Sequence, residues 1–229
     1  KLCLTAAYEK HLIGNVVDKI CLPKTVSKDV KVLTKQEQKR LEQVIEAENK
    51  ENDIGILICL YTGIRIGELC ALKWENINLD RKIMTIDKTM YSVQSNDGKC
   101  KTKIILSSPK SVNSERDIPI AELLSEKLSK IQKSEGFVIN RNGKYIEPAV
   151  YSRRYKKLLE KAGIEYMMFH STRHTFSVRA RELGVDVQTL SEILGHSSVS
   201  TTLNFYGHSL PEHKHNQMER IGGLFSQSK

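Results

Sequence analysis

Cysteine is scarce and scattered: five residues (Cys3, Cys21, Cys59, Cys70, Cys100) among 229, an odd number with no C-x-x-C pair. That excludes a disulfide framework and a thiolate metal site of the usual spacing. A reducing compartment, the cytoplasm, is the expectation. Long apolar runs are also missing. The longest, Ile54 to Tyr61, is eight residues and is broken by Gly55, against the roughly 20 that a membrane helix needs. Lys1-Leu2-Cys3-Leu4-Thr5 carries no basic stretch followed by an apolar segment and a small-residue cleavage site, so neither a membrane nor a secretory role is expected. Internal repeats and low-complexity tracts are absent. Acids are in deficit, 27 against 36 Lys and Arg, which leaves a net charge of +9.

What is present is an ordinary globular composition, 39% hydrophobic and 28% charged, on a chain long enough to bury roughly 70–75% of its unfolded surface. The excess charge is not spread evenly. Ten basic residues and three acids fall between Arg141 and Arg181, so seven of the nine net charges lie in 41 residues. Clustering of this kind suits a polyanion, with DNA the leading candidate, and is otherwise a solvated basic face.

The periodicity changes along the chain. Leu4, Ala7, Tyr8 and Leu12 lie at helical spacing, so residues 1–20 are expected to hold a short helix, followed by a linker over 21–32 that contains Pro23. Thr34-Lys35-Gln36-Glu37 is a capping box that opens a helix to about Lys50. An apolar helix is predicted over Asp53–Tyr61 and a short one over Ile64–Leu72. From Asp80 to Ile120 the period falls to two. Strands are predicted at Lys82–Ile86, Lys103–Leu106 and Arg116–Ile120, with turns at Asn96-Asp97-Gly98 and Pro109–Ser114. Helices follow at Ala121–Ser134, Pro148–Ala162, Thr172–Leu183 and Asp186–Leu194, the last three closed by Gly163, Gly184 and Gly195. Short helices are expected near Val199–Phe205 and in the tail. The class is α+β, mainly α, with a small three-stranded antiparallel sheet.

Taken singly, the candidate residues are ambiguous. Arg65 and Glu68 stand three apart on a short helix after Thr62-Gly63, a spacing that also describes a surface ion pair. His170-Ser171-Thr172-Arg173-His174 sets a helix N-terminus beside an arginine, which suits an anion. Its histidines are four apart as in zinc proteases, but Ser171 stands where those need Glu. His196 in Leu194-Gly195-His196, Lys110 in a turn and Tyr206 carry no intrinsic mark.

Their order is what identifies them. Thr62-Gly63-Ile64-Arg65-Ile66-Gly67-Glu68-Leu69, a turn lysine, His170-x-x-Arg173-His174, Leu194-Gly195-His196 and Tyr206 follow in series. Over residues 33 to 210 that series resembles the catalytic domain of the tyrosine recombinases, the phage and transposon integrase family, and the stretch from Leu194 to His208 is most similar to integrases of conjugative transposons. The resemblance implies that residues 33–206 are the catalytic domain and that 1–20 are the last helix of a truncated core-binding domain. The tail, 207–229, docks either on its own domain or, as the resemblance favours, on a neighbouring protomer. It implies that Tyr206 attacks a scissile phosphate to leave a 3′-phosphotyrosine. Arg65, Arg173 and His196 then hold the phosphate, His170 assists proton transfer, Lys110 protonates the leaving oxygen, and Glu68 orients its neighbours. No metal and no other cofactor is implied. The implied partners are double-stranded DNA at recombination sites, further copies of the chain in a dimeric or tetrameric synapse, and accessory DNA-bending proteins. Arg153, Arg154, Lys156 and Lys157, in the basic segment, are expected on the DNA backbone.

Two other readings fit parts of the sequence. A type IB topoisomerase shares the chemistry and differs in assembly and strand exchange. A helix-turn-helix regulator could use Leu183-Gly184-Val185 as its turn. Its recognition helix, however, would carry Asp186, Gln188 and Glu192 with no Lys or Arg, and phosphate would repel it.

Overall fold

The computed structural model describes residues 31–94, 102–107, 115–196, 198 and 218–219, all within one compact unit that begins at Lys31. The predicted 1–20 helix, nearly all of the 21–32 linker, both strand turns, the 199–205 helix, Lys110 and Tyr206 lie outside the described residues. So does the tail apart from Met218 and Glu219.

Helix α1 (Lys35–Glu48) starts where its capping box predicts: Thr34 accepts from the Glu37 N–H, and Glu37 accepts from that of Thr34. Helix α2 (Ile54–Thr62) is almost wholly apolar and is therefore buried along its length except at the partly exposed Tyr61. Burying Ile56, Leu57, Ile58 and Leu60 contributes about 1.5–3 kcal/mol each, far more than any exposed ion pair at about 0–1 kcal/mol. The short α3 (Ile66–Ala71) follows. Helices α4 (Glu122–Ser129), α5 (Pro148–Lys161), α6 (Ser171–Glu182) and α7 (Val187–Leu194) complete the described helices. Helix α2 packs on α6 and α4, while α1 packs on α5. Helix α4 stops short of the predicted Ser134, because Ile131 is the only apolar residue between Leu128 and Phe137.

The three-stranded antiparallel sheet is present with a different third member. Its order is β1 (Ile77–Asn78), β2 (Ile83–Ile86), β5 (Arg116–Pro119), with Met84 opposite Ile118. The strand predicted at 103–106 pairs instead with β3 (Thr89–Gln94), as β4 (Thr102–Ser107) of a separate ribbon. Asp87 and Lys88 interrupt the strand after Ile86, and Thr89, Tyr91 and Val93 then supply a new run of β-forming residues. A further hairpin joins β6 (Asn140–Arg141) to β7 (Lys144–Tyr145).

Two clusters hold the unit together. The larger runs from Leu33 to Phe169 around α2. The smaller gathers Ala180, Leu190 and Leu194, with Phe176 and Val185 against them, between α6 and α7. Among the described residues no helix is long and apolar enough to cross a membrane.

Candidate active site

The site begins at the end of α2. Gly63 closes that helix in the left-handed region, φ 69°, where a side chain is strained. A Cβ there would also stand 2.5 Å from Phe176 and 2.8 Å from Leu194. The chain then turns through Ile64 to Arg65, the residue before α3. Glu68, one turn into α3, accepts the Arg65 N–H at 2.9 Å and its guanidinium at 2.8 Å. The i, i+3 pair of the sequence is thus a helix start with a buried carboxylate, not a surface bridge; Glu68 is 3% exposed.

A second arginine meets the same carboxylate. Arg116, at the start of β5, donates to both Glu68 oxygens, at 2.9 and 3.3 Å, and its Nε donates to the Ile193 carbonyl at 2.6 Å. The third comes from the first turn of α6. Arg173, buried, donates to the carbonyls of Gly63 and Leu194, each at 2.8 Å. Arg65 reaches the same helix end, at 3.4 Å from the Leu194 carbonyl and 3.2 Å from that of Gly195. Three guanidinium groups therefore converge on the last carbonyls of α7, the negative end of its helix dipole, where cations are favoured. Gly195 ends α7 at φ 62°, and the His196 N–H donates to the Ser191 carbonyl at 3.0 Å.

Three arginines with a single carboxylate, held by Arg65 and Arg116, leave a positive field, and the titratable groups register it. Burial works to raise the Glu68 carboxyl, but the hydrogen bond and charge of Arg116, with the charge of Arg65, outweigh it and hold it below its usual value. The His196 imidazole is brought down to about 4 by burial and by Arg173, Arg65, Arg116 and His170. His170 is lowered by burial, then by Arg173 and Arg65. His174, edge-on to His170 with ring centres 4.5 Å apart, is brought down to about 4 by burial and by both neighbours. At neutral pH these imidazoles are uncharged, able to accept a proton on one nitrogen and donate from the other. Forked donors beside neutral imidazoles suit the non-bridging oxygens of a phosphodiester. Among the described residues no three His, Cys, Asp or Glu side chains are grouped as metal ligands would be.

The structure thus brings together Arg65, Glu68, His170, Arg173 and His196. Lys110 falls in the 108–114 segment outside the described residues, as Tyr206 does. Arg153, Lys156 and Lys157 are exposed on α5. Lys156 lies 3.8 Å from Glu160 and over the Tyr166 ring. Arg154 faces the other way: it grips the buried Asp53 at 2.8 Å and Glu48 at 3.1 Å, fastening α5 to the starts of α2 and the end of α1. Sequence reasoning passed over Arg116, which it read only as a strand start. The signal was there: Arg116 shares its strand face with Ile118, and an arginine at an inward position needs a buried acid.

The sequence matches the phage integrase family over residues 31–213, and the chain belongs to that family. It is similar to a XerC-like tyrosine recombinase of Caldanaerobacter subterraneus subsp. tengcongensis, 30% identical across 90% of this chain and 59% of the relative. It is also similar to the ICEBs1 integrase of Bacillus subtilis, 26% identical across 98% of this chain and 63% of the relative. The chain thus spans about three fifths of the length of these relatives. The Tn1549 transposon integrase, solved in complex with a circular intermediate DNA, shares the fold with a TM-score of 0.73 at 22% identity, over 96% of this chain and 76% of the other.

Proposed function

We propose that the chain is the catalytic portion of a site-specific DNA recombinase that cuts and rejoins strands for integration and excision of a mobile element. The observation that carries this reading is the convergence of Arg65 and Arg173 on the end of α7, within whose charges His170 and His196 lie, in a chain that belongs to the phage integrase family. In-line attack on a phosphodiester builds charge on its non-bridging oxygens, which Arg65, Arg173 and the imidazole N–H of His196 stabilise. Removing one such preorganised donor costs about 3–4 kcal/mol, or about 10²–10³ in rate. His170, neutral, takes the phenolic proton from Tyr206 as its oxygen forms the bond to phosphorus, and Lys110 protonates the departing 5′-oxygen. The 3′-phosphotyrosine keeps the ester energy, so rejoining needs no ATP.

The substrate is double-stranded DNA, met by Arg153, Lys156 and Lys157 on the exposed face of α5; Arg154 contributes by holding that helix in place. Relatives named as the ICEBs1 integrase and the transposase from transposon Tn916 support the mobile-element reading; on that reading several copies assemble on DNA, with accessory bending proteins in the synapse. Residues 1–20 are then the end of a core-binding domain and 207–229 a segment passed between protomers. The cytoplasm, where such DNA resides, is the site of action.

The test is incubation with a nicked suicide duplex carrying the recombination site, then a denaturing gel. A covalent protein–DNA adduct, absent from Tyr206→Phe while duplex binding persists, is expected. An adduct that persists in Tyr206→Phe overturns the assignment.

A further inference from the structure

Arg116 is the guanidinium at the site that no step above uses. Its side chain is 6% exposed and joins three segments at once. Two of its nitrogens meet the Glu68 carboxylate at the start of α3, and its Nε meets the Ile193 carbonyl in the last turn of α7. The fit is close from the other side too. A Cβ on Gly195 would stand 2.9 Å from Arg116 Nη1, 3.0 Å from Cζ and 3.1 Å from Cδ. Replacing a buried ion pair by well-packed apolar residues is often neutral or stabilising, so stability alone does not account for a second arginine on Glu68. A planar group with separate Nε and Nη edges can serve a carboxylate and a carbonyl together; a lysine nitrogen has no such fork.

The geometry points to Arg116 as a positioning residue: by clamping the last turn of α7 to Glu68, it sets where His196, the residue after Gly195, stands against Arg65 and Arg173. The catalytic consequence rests on the recombinase reading, whereas the placement of His196 does not. Among the described residues, the charged and titratable groups that act on His196 are Arg173, Arg65, Arg116 and His170, with Glu68 bound to Arg65 and Arg116.

The experiment compares the full chain with Arg116→Gln, Arg116→Lys and Gly195→Ala. Single-turnover cleavage of the suicide duplex, duplex affinity and the His196 ring resonances by NMR are recorded, all well below each variant's melting temperature. Misplacing a reacting group by about 1 Å costs about 10²-fold, so Arg116→Gln is expected to lose about 10–100-fold in cleavage with affinity unchanged. Arg116→Lys keeps the charge and is expected to leave the rate low and the His196 resonances displaced. Gly195→Ala crowds the same clamp, and its loss should combine with that of Arg116→Gln to less than the sum. Wild-type cleavage in Arg116→Gln, full rescue by lysine, or additive losses would each overturn the proposal. If Arg116→Gln fails to fold, the lysine and alanine variants decide. If the wild-type chain forms no adduct, the recombinase reading fails separately. The NMR arm still decides the positioning, and unmoved His196 resonances in Arg116→Lys overturn it.

Discussion

Arg173 donates to the carbonyl of Gly63 at 2.8 Å across 110 residues of chain. The bond fastens the first turn of α6 to the left-handed residue that ends α2, and the other Arg173 contact fastens both to α7. The pieces that looked like separate motifs in sequence are therefore one hydrogen-bonded unit, and a change at the glycine reaches the arginine.

Gly63→Ala tests that coupling. A left-handed non-glycine residue costs about 1–2 kcal/mol, and crowding Phe176 and Leu194 adds about 1–3 kcal/mol. With about 2–4 °C lost per kcal/mol in a domain of this size, the melting temperature should fall by at least about 4 °C. Thermal unfolding followed by circular dichroism measures it; an unchanged midpoint contradicts the packing described here.

Glu68→Gln removes the carboxylate shared by Arg65 and Arg116 and breaks the buried Glu68–Arg116 ion pair. Breaking a buried pair in this way costs about 3–5 kcal/mol. Urea unfolding should show a lower midpoint with an unchanged slope, whereas Glu165→Gln, which breaks only the exposed bridge to Lys31, should change stability by less than about 1 kcal/mol.

The basic residues of α5 should separate into two kinds. Neutralising Arg153 and Lys157 together should weaken binding to all duplex sequences alike and flatten the salt dependence by about two units of slope. Arg154→Gln should instead lower stability, because it strands Asp53, which is 1% exposed. Anisotropy titrations over a salt series, paired with denaturation, distinguish them. A salt slope altered by Arg154→Gln as much as by the others would return that residue to the DNA face.

The histidines give a pH dependence of definite sign. His174 and His196 titrate at about 4 in the folded chain, below the ordinary 6.5. Between those limits the unfolded chain binds protons that the folded one does not, so stability rises with pH through that window and then levels. Glu48, held at about 2 by hydrogen bonds from Lys161, Lys50 and Arg154, acts with the same sign lower down, between 4.5 and about 2. Urea midpoints taken from pH about 4 to 7.5 should climb and flatten, and His174→Gln should reduce the climb. Equal stability at both ends contradicts the lowered imidazoles.

Lys110→Ala should slow cleavage by about 10²–10⁴, the usual contribution of a general acid. A duplex with sulfur at the 5′-bridging position should recover much of that rate, since a thiolate leaves unprotonated. Rescue of Lys103→Ala but not of Lys110→Ala would move the role to the other lysine.

Helices were the most legible part of the fold, because their signals are local. The capping box at Thr34, the all-apolar run after Asp53 and the glycines at 163, 184 and 195 each mark an end within a residue or two. Strand partners were not legible in the same way. Which strand lies beside β2 is settled by contacts with Ile77 and Ile118, and the run from Thr89 to Gln94 has no strict alternation. The β6–β7 hairpin does have a local signal, Asn142-Gly143, both at positive φ, but each of its strands is only two residues long. At the site, motif order located Arg65, Glu68, His170, Arg173 and His196. Arg116 escaped because its partner is 48 residues distant in sequence.

The smaller apolar cluster bears on how the site holds together over time. Helix α7 sets its own Leu190 and Leu194 against Ala180, Phe176 and Val185 and leans Ile193 on the larger cluster, an apolar contact much smaller than the one around α2. Segments with little buried apolar contact open at lower free energy than the domain as a whole. The backbone amides from Leu190 to His196 should therefore exchange with solvent sooner than those of Ile56 to Leu60. The three arginines then act as a latch on a lightly anchored flap, and the active form of the site becomes an equilibrium property that binding partners can bias while the rest of the domain stays folded.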